Sequence, residues 1–200
     1  MKQGVLLLAA LSLVGCSSIS PQECQMGDWF AIGKTDGQQG FSSTKFRSYQ
    51  KECAEYGVGA DFKAYEQGHA QGVILYCTYD EGRALGQSGG AFNKVCIGAL
   101  EPQFRLGYDR GRQWYQAESA LRNLESSLRQ NAGTIDELEQ RIDDNTKELS
   151  ALKDKQQKQK LLDENRSLQR QLRELNQMQG QLKRDLKQAE LQLSLIQLGG

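Results

Sequence analysis

The chain has 200 residues, with 25 basic and 25 acidic side chains and one histidine, so it is formally neutral at pH 7. That balance excludes the basic field on which nucleic-acid binding depends. With His69 the sole histidine and no C-x-x-C among five cysteines, the usual zinc-ligand spacing is also absent, and neither a metal nor another cofactor is expected.

Residues 1–15 read as a secretory signal, with Lys2, an apolar stretch from Val5 to Val14 and a small residue before Cys16. The stretch is too short to span a bilayer. Its end, Leu13-Val14-Gly15-Cys16, resembles the bacterial lipobox, which implies cleavage before Cys16 and acylation of its sulfur and its new amino group. Three acyl chains anchor a protein firmly to a membrane without crossing it. Ser17, where an aspartate would retain the protein at the inner membrane, implies by resemblance to Gram-negative lipoproteins an outer-membrane location facing the periplasm. Residues 16–23 are then a lipidated linker.

Once Cys16 is acylated, Cys24, Cys53, Cys77 and Cys96 remain as an even set in an oxidising compartment, and two disulfides are expected. Four cysteines allow three pairings. Cys24 with Cys53 and Cys77 with Cys96 is preferred because it closes the shortest loops.

Residues 24–112 form a small domain rich in cysteine, glycine and aromatics; all fifteen aromatic residues of the chain lie between Trp29 and Tyr115. A domain of this size has a limited core, which disulfides supplement. Glycines recur four apart in helix-like runs: Gly33 and Gly37, Gly68 and Gly72, Gly82 and Gly86, Gly107 and Gly111. Each costs about 1 kcal/mol relative to alanine inside a helix, so a compensating role is required. A phosphate loop needs glycines clustered between a strand and a helix, and a membrane Gly-x-x-x-Gly face cannot carry His69 and Gln71. Close backbone packing remains, with a tyrosine one turn earlier at Tyr65, Tyr79 and Tyr108, and Trp29 four before Gly33. The alternative is a cleft lined by these tyrosine-glycine faces. No catalytic residue is assigned, although Asp28, Asp36, Asp61, Asp80, Glu81, Glu101 and Asp109 contain the raw material for a carboxylate pair of the kind that hydrolyses cell-wall sugars.

The segments DWFAIGKTDGQQG (28–40), DFKAYEQGHAQGVILYC (61–77) and YDRGRQWY (108–115), with Cys53 and Val95-Cys96, resemble a proteobacterial envelope lipoprotein family known as a domain of unknown function, family 2799. The resemblance covers about residues 20–116. It implies a mainly helical, periplasm-facing domain behind a lipidated N-terminus, with Cys24, Cys53, Cys77 and Cys96 at the cysteine positions of the family. It brings no catalytic residues. Ile97 stands where the pattern has a proline after the last cysteine.

Beyond residue 112 the aromatics stop after Trp114 and Tyr115, and acids and bases number fourteen each. Leu121, Leu128, Ile135, Ile142 and Leu149 recur every seven residues, with Leu124, Asn131, Leu138, Asn145 and Leu152 three behind, which predicts a coiled coil over 113–198. A second heptad run has Leu161, Leu168, Leu175 and Leu182 in one seam and Leu172 and Leu186 in the other. The two runs differ in phase by two residues across KDKQQKQK (153–160). The fold class is therefore mainly α: a disulfide-stapled helical domain followed by a long coiled-coil helix. Absence of Gly and Pro at 153–160 favours one rod from about Gln103 to Leu198, and a hairpin turning there is the alternative. Asn131 and Asn145 in the seam are expected to fix register and partner choice.

These features together predict a non-catalytic outer-membrane lipoprotein that oligomerises, or tethers a partner coiled coil, and contacts an envelope protein or peptidoglycan. The alternatives are a periplasmic ligand-binding or sensor module and, behind it, a cell-wall-modifying enzyme.

Overall fold

The computed structural model describes residues 19–198, so the signal segment, Cys16 and its proposed lipid lie outside the described residues. Helices α1 (Pro21–Met26), α2 (Trp29–Gln38), α3 (Phe46–Ala54), α4 (Phe62–Tyr76), α5 (Tyr79–Gln87), α6 (Glu101–Ala151) and α7 (Lys155–Leu198) make up the described chain, with no strand among them. They divide into two compact units. The first runs to Thr78 and includes Asn93–Gln103; the second is Tyr79–Phe92 with the chain from Phe104 onward.

In the first unit, local chemistry sets the helix starts. Ser20 and Glu23 form a reciprocal capping box at α1. Asp28 accepts from Ala31 N and Asp61 from Ala64 N, each at 3.0 Å, to cap α2 and α4. The core gathers Ile19, Cys24, Trp29, Phe46, Tyr49, Cys53 and Tyr65, with Phe46 at its centre: its ring lies 5.7 Å from that of Trp29 and 5.0 Å from that of Tyr65. The Cys24–Cys53 disulfide ties α1 to α3, and Cys77–Cys96 ties the end of α4 to the segment before α6. Ile97 precedes the 3₁₀ turn Gly98–Leu100 and is exposed.

Helices α2 and α4 pack backbone to backbone. A Cβ built on Gly33 would fall onto the Tyr65 carbonyl, one on Gly37 onto that of His69, one on Gly68 onto that of Phe30 and one on Gly72 onto that of Lys34. Gly33 thus faces Tyr65 and His69 while Gly37, one turn later, faces His69 and Val73, so the two helices run parallel. The glycines remove the side chains that would hold the axes apart, and close Cα–H···O contacts and dispersion replace what the helices lose in propensity.

The second unit repeats the device. Cβ atoms on Gly82, Gly86, Gly107 and Gly111 would fall onto the carbonyls of Phe104, Tyr108, Tyr79 and Arg83 respectively, and α5 and α6 are again parallel. Position by position, Phe30, Gly33, Lys34, Gly37, Gln38 and Gly40 correspond to Tyr79, Gly82, Arg83, Gly86, Gln87 and Gly89. Tyr65, Gly68, Gly72 and Tyr76 correspond to Phe104, Gly107, Gly111 and Tyr115. Each first helix ends in the same turn: Gly40 and Gly89 take φ of +71° and +76° and lie against the rings of Tyr76 and Tyr115. Gly40 N donates to Gly37 O and Gly89 N to Gly86 O, both at 3.1 Å. Residues 28–115 are therefore two copies of one helix-pair unit.

Helix α6 continues without a break from the second glycine pair into the heptads, through the boundary that composition places at 112/113. It stops at Ala151, and Asp154 caps α7 by accepting from Gln157 N at 2.8 Å. Of the two arrangements the sequence allows, the hairpin is the one formed, and a single rod from Gln103 to Leu198 is not. Leu152 to Asp154 turn the chain so that α7 runs back along α6: Asn145 Nδ2 donates to Asn165 Oδ1 at 2.9 Å and Arg141 pairs with Glu164 at 2.8 Å. The polar stretch that follows Leu152 has no apolar side chain with which to hold a seam, and the phase slip there is absorbed by the turn. Seam positions Asn131, Ile135, Leu138, Asn165 and Leu168 are buried, and Leu121, Leu124, Leu128, Ile142, Asn145, Leu149, Leu152, Leu172, Leu175, Leu182 and Leu186 are half-buried.

Candidate functional site

Among the described residues, a cavity meets a buried polar group in the first unit and again on the hairpin. The first lies over Asp36. This carboxylate is 3 % exposed and sits on α2 between Gly33 and Gly37. Tyr65 donates to its Oδ2 at 2.8 Å, and Tyr49 and Lys45 donate to its Oδ1 at 3.1 and 2.7 Å. The Lys45 ammonium also lies 3.8 Å from the centre of the Phe41 ring. Burial acts to lower the Lys45 pKa, but the hydrogen bonds and attraction of Asp36 and Tyr49 outweigh it and hold it above the ordinary lysine value. Burial raises the Tyr65 pKa well above the usual tyrosine range, and the bond to Asp36 and its charge add to the effect. Tyr49 is raised chiefly by burial too.

Above this cluster lies a cavity of about 430 Å³ with Ile19, Met26, Ala31 and Ile32 as its apolar wall and Glu23, Asp28, Asp36 and Lys45 as its charged groups. Hydrogen bonds from Ser20 to Glu23 hold that carboxyl below its ordinary value, so it is ionised at neutral pH. Asp28, exposed, carries the α2 cap on one oxygen.

The second place is on the hairpin. A groove of about 350 Å³ is lined by Asn131 and Thr134 from α6 and Leu175, Met178 and Leu182 from α7. Asn131 is 6 % exposed, and its Oδ1 is buried with no hydrogen-bond partner. A buried acceptor left unpaired costs about 1–3 kcal/mol. Met178 at the same groove is 54 % exposed.

Of the carboxylates weighed for sugar hydrolysis, Asp28 and Asp36 line the same cavity, and Asp109 lies on α6. Asp28 and Asp61 are caps, Asp80, Glu81 and Glu101 lie in first helical turns, and Asp36 is tied to a lysine and two tyrosines. The tyrosine-glycine cleft is not formed, because the glycine faces are filled by the partner helix. His69 is buried, stacks on Tyr65 and donates from Nε2 to the Phe41 carbonyl at 2.7 Å. No group of His, Cys, Asp and Glu suited to a metal occurs among the described residues. Sequence reasoning did not single out Lys45, Tyr49 or Asn165. Only their neighbours in space give them meaning, although Asp36 was detectable as a charge where the second copy has Leu85.

No curated protein and no solved structure matches the chain. A family model does match residues 28–113, from the α2 cap to two residues past Gly111, and so spans both glycine helix pairs but neither α1 nor α7. Over that segment the chain is similar to the family described as a protein of unknown function (DUF2799).

Proposed function

We propose that the protein is a non-catalytic lipoprotein of the outer membrane, facing the periplasm, whose helical hairpin assembles with the hairpin of a second copy. The observation that carries the assembly is the unpaired Asn131 Oδ1 in the groove beside the exposed Met178. A primary amide is self-complementary. Across a twofold axis the Asn131 amide of a second chain supplies the missing donor, as a seam asparagine does when it fixes register. The seam residues left half-buried by a two-helix hairpin gain cover in the same step.

The anchor rests on the sequence around Cys16. Ile19 is buried in the core and its N–H donates to Glu52 at 3.3 Å. A three-residue span reaches about 10 Å at most, so an acylated Cys16 would hold the first unit against the bilayer surface.

Sedimentation of the purified chain tests the assembly. A dimer is expected for the wild type at micromolar concentration, and Asn131→Leu should change the oligomeric state or broaden it into several species while helix content persists. A wild-type chain that remains monomeric at about 100 μM would sink the reading. Crosslinking from Met178 in cells separates self-association from an envelope protein, since only the former returns a peptide of this chain.

A further inference from the structure

We propose that the cavity over Asp36 is a binding site for a small organic cation, a primary ammonium carried on an apolar body. The first argument is charge. The carboxylates and amines lining the cavity are Glu23, Asp28, Asp36 and Lys45, three acids to one base, beside the neutral Thr35, Gln39 and Tyr49. Lys45 and Asp36 neutralise each other at 2.7 Å, and the ammonium is further held over the Phe41 ring. Glu23 and Asp28 remain as uncompensated anions. Each uses one oxygen for a helix cap, Glu23 Oε2 toward Ser20 and Asp28 Oδ1 toward Ala31, which leaves Oε1 and Oδ2 for a ligand. A ligand ammonium placed there makes charge-assisted bonds to carboxylates that the fold has already fixed in position.

The second argument is shape. Ile19, Met26, Ala31 and Ile32 provide an apolar wall, and about 430 Å³ falls within the range of small-molecule sites. A bare inorganic cation would leave that wall unused, so the body attached to the ammonium is hydrocarbon or a ring.

The third argument comes from the other copy of the helix pair. Where the first copy has Asp36 and Tyr65 in hydrogen bond, the second has Leu85 and Phe104. The same backbone packing thus forms with an apolar pair at these positions. Buried ionic groups replaced by apolar ones of similar volume are often neutral or stabilising, so the fold alone does not account for Asp36. Its charge neutralises Lys45 inside the cavity. Without it the lysine would repel a cation and compete for Glu23 and Asp28.

Calorimetric titration of the purified full-length chain with cyclohexylammonium, and separately with cyclohexanecarboxylate, tests the site. The wild type should bind the amine and bind the carboxylate at least about tenfold more weakly, a difference of about 1.4 kcal/mol. Asp36→Leu with Tyr65→Phe, which writes the second copy's residues into the first, should lose at least tenfold in amine affinity while thermal unfolding stays cooperative. Asp28→Asn keeps the helix cap and removes one anion, so it should weaken the amine by about threefold or more even if the double variant fails to fold. No amine binding by the wild type, preference for the carboxylate, or amine affinity unchanged in Asp28→Asn would each overturn the proposal.

Discussion

The two helix pairs share a backbone and differ at its centre. In both, four glycines bring parallel helices into carbonyl contact, and in both a left-handed glycine ends the first helix beneath a tyrosine ring. Between these fixed points the first pair buries a carboxylate with two tyrosines and a lysine, whereas the second has a leucine and a phenylalanine. The connection explains how the first can hold a charge. Its 3₁₀ turn Ser43–Lys45 and α3 bring Lys45 and Tyr49 over α2, and the second pair is joined through the single 3₁₀ turn Gly98–Leu100. Close helix packing is thus a property of the glycines, and the chemistry near them is free to diverge.

The largest effect is expected where the copies agree. Gly68→Leu in the first and Gly107→Leu in the second each drive a side chain into a backbone carbonyl of the facing helix, which no rotamer avoids. Each should destabilise its own unit by about 3 kcal/mol or more, read as loss of cooperative unfolding in chemical denaturation. Tolerance at one site and collapse at the other would break the equivalence of the two copies.

Where the copies differ, exchange should be asymmetric. Asp36→Leu with Tyr65→Phe should change stability by about 1 kcal/mol or less, because Lys45 and the Tyr49 hydroxyl both line the cavity, where water can take the place of the carboxylate. Leu85→Asp with Phe104→Tyr should cost about 2 kcal/mol, because no lysine and second tyrosine are there to meet the new carboxylate. Equal losses in the two directions would mean that the polar centre is a structural requirement of the first copy. The same centre predicts a pH effect. Burial, and after it the bond to Asp36, raise the Tyr65 pKa above the usual tyrosine value of about 10 in the folded chain, so its contribution is complete below that pH and is lost as pH climbs above it. Wild type should lose more stability than Tyr65→Phe in denaturation between pH 10 and 11; parallel profiles would separate Tyr65 from the carboxylate.

Much of this was legible in the chain. The glycine pairs and the heptads follow from spacing; the four cysteines allow three pairings, and the preferred one, with the shortest loops, is the one formed. The duplication is harder to read, because 31 residues separate Gly37 from Gly68 and only 21 separate Gly86 from Gly107, so no single period runs through the sequence. Counting tyrosines alone hid it further: Phe30 and Phe104 stand at positions that Tyr79 and Tyr65 occupy in the other copy. The hairpin turn carries neither glycine nor proline, and the phase slip that marks it also permits a local break in a rod. Lys45 and Tyr49 meet Asp36 only because α3 folds over α2, a contact without a local signature.

The smallest effect is also a reversal of sign, and it isolates the cause of the first. Gly107, Gly111 and Gly133 lie on the same helix, α6. A Cβ at Gly133 would meet nothing within 4 Å, whereas those at Gly107 and Gly111 would meet the backbone of α5. Helix propensity acts on all three alike, so the contacts alone separate them. Gly133→Ala should therefore raise hairpin stability by about 0.5–1 kcal/mol, through the reduced freedom of the unfolded chain and the better helix former. Gly107→Ala should lower the stability of the second unit despite the same gain in propensity. If both alanines stabilise, carbonyl contact is not what the paired glycines serve. If both destabilise, Gly133 has a partner that the groove beside Asn131, two residues earlier on α6, brings to it in the assembled hairpins.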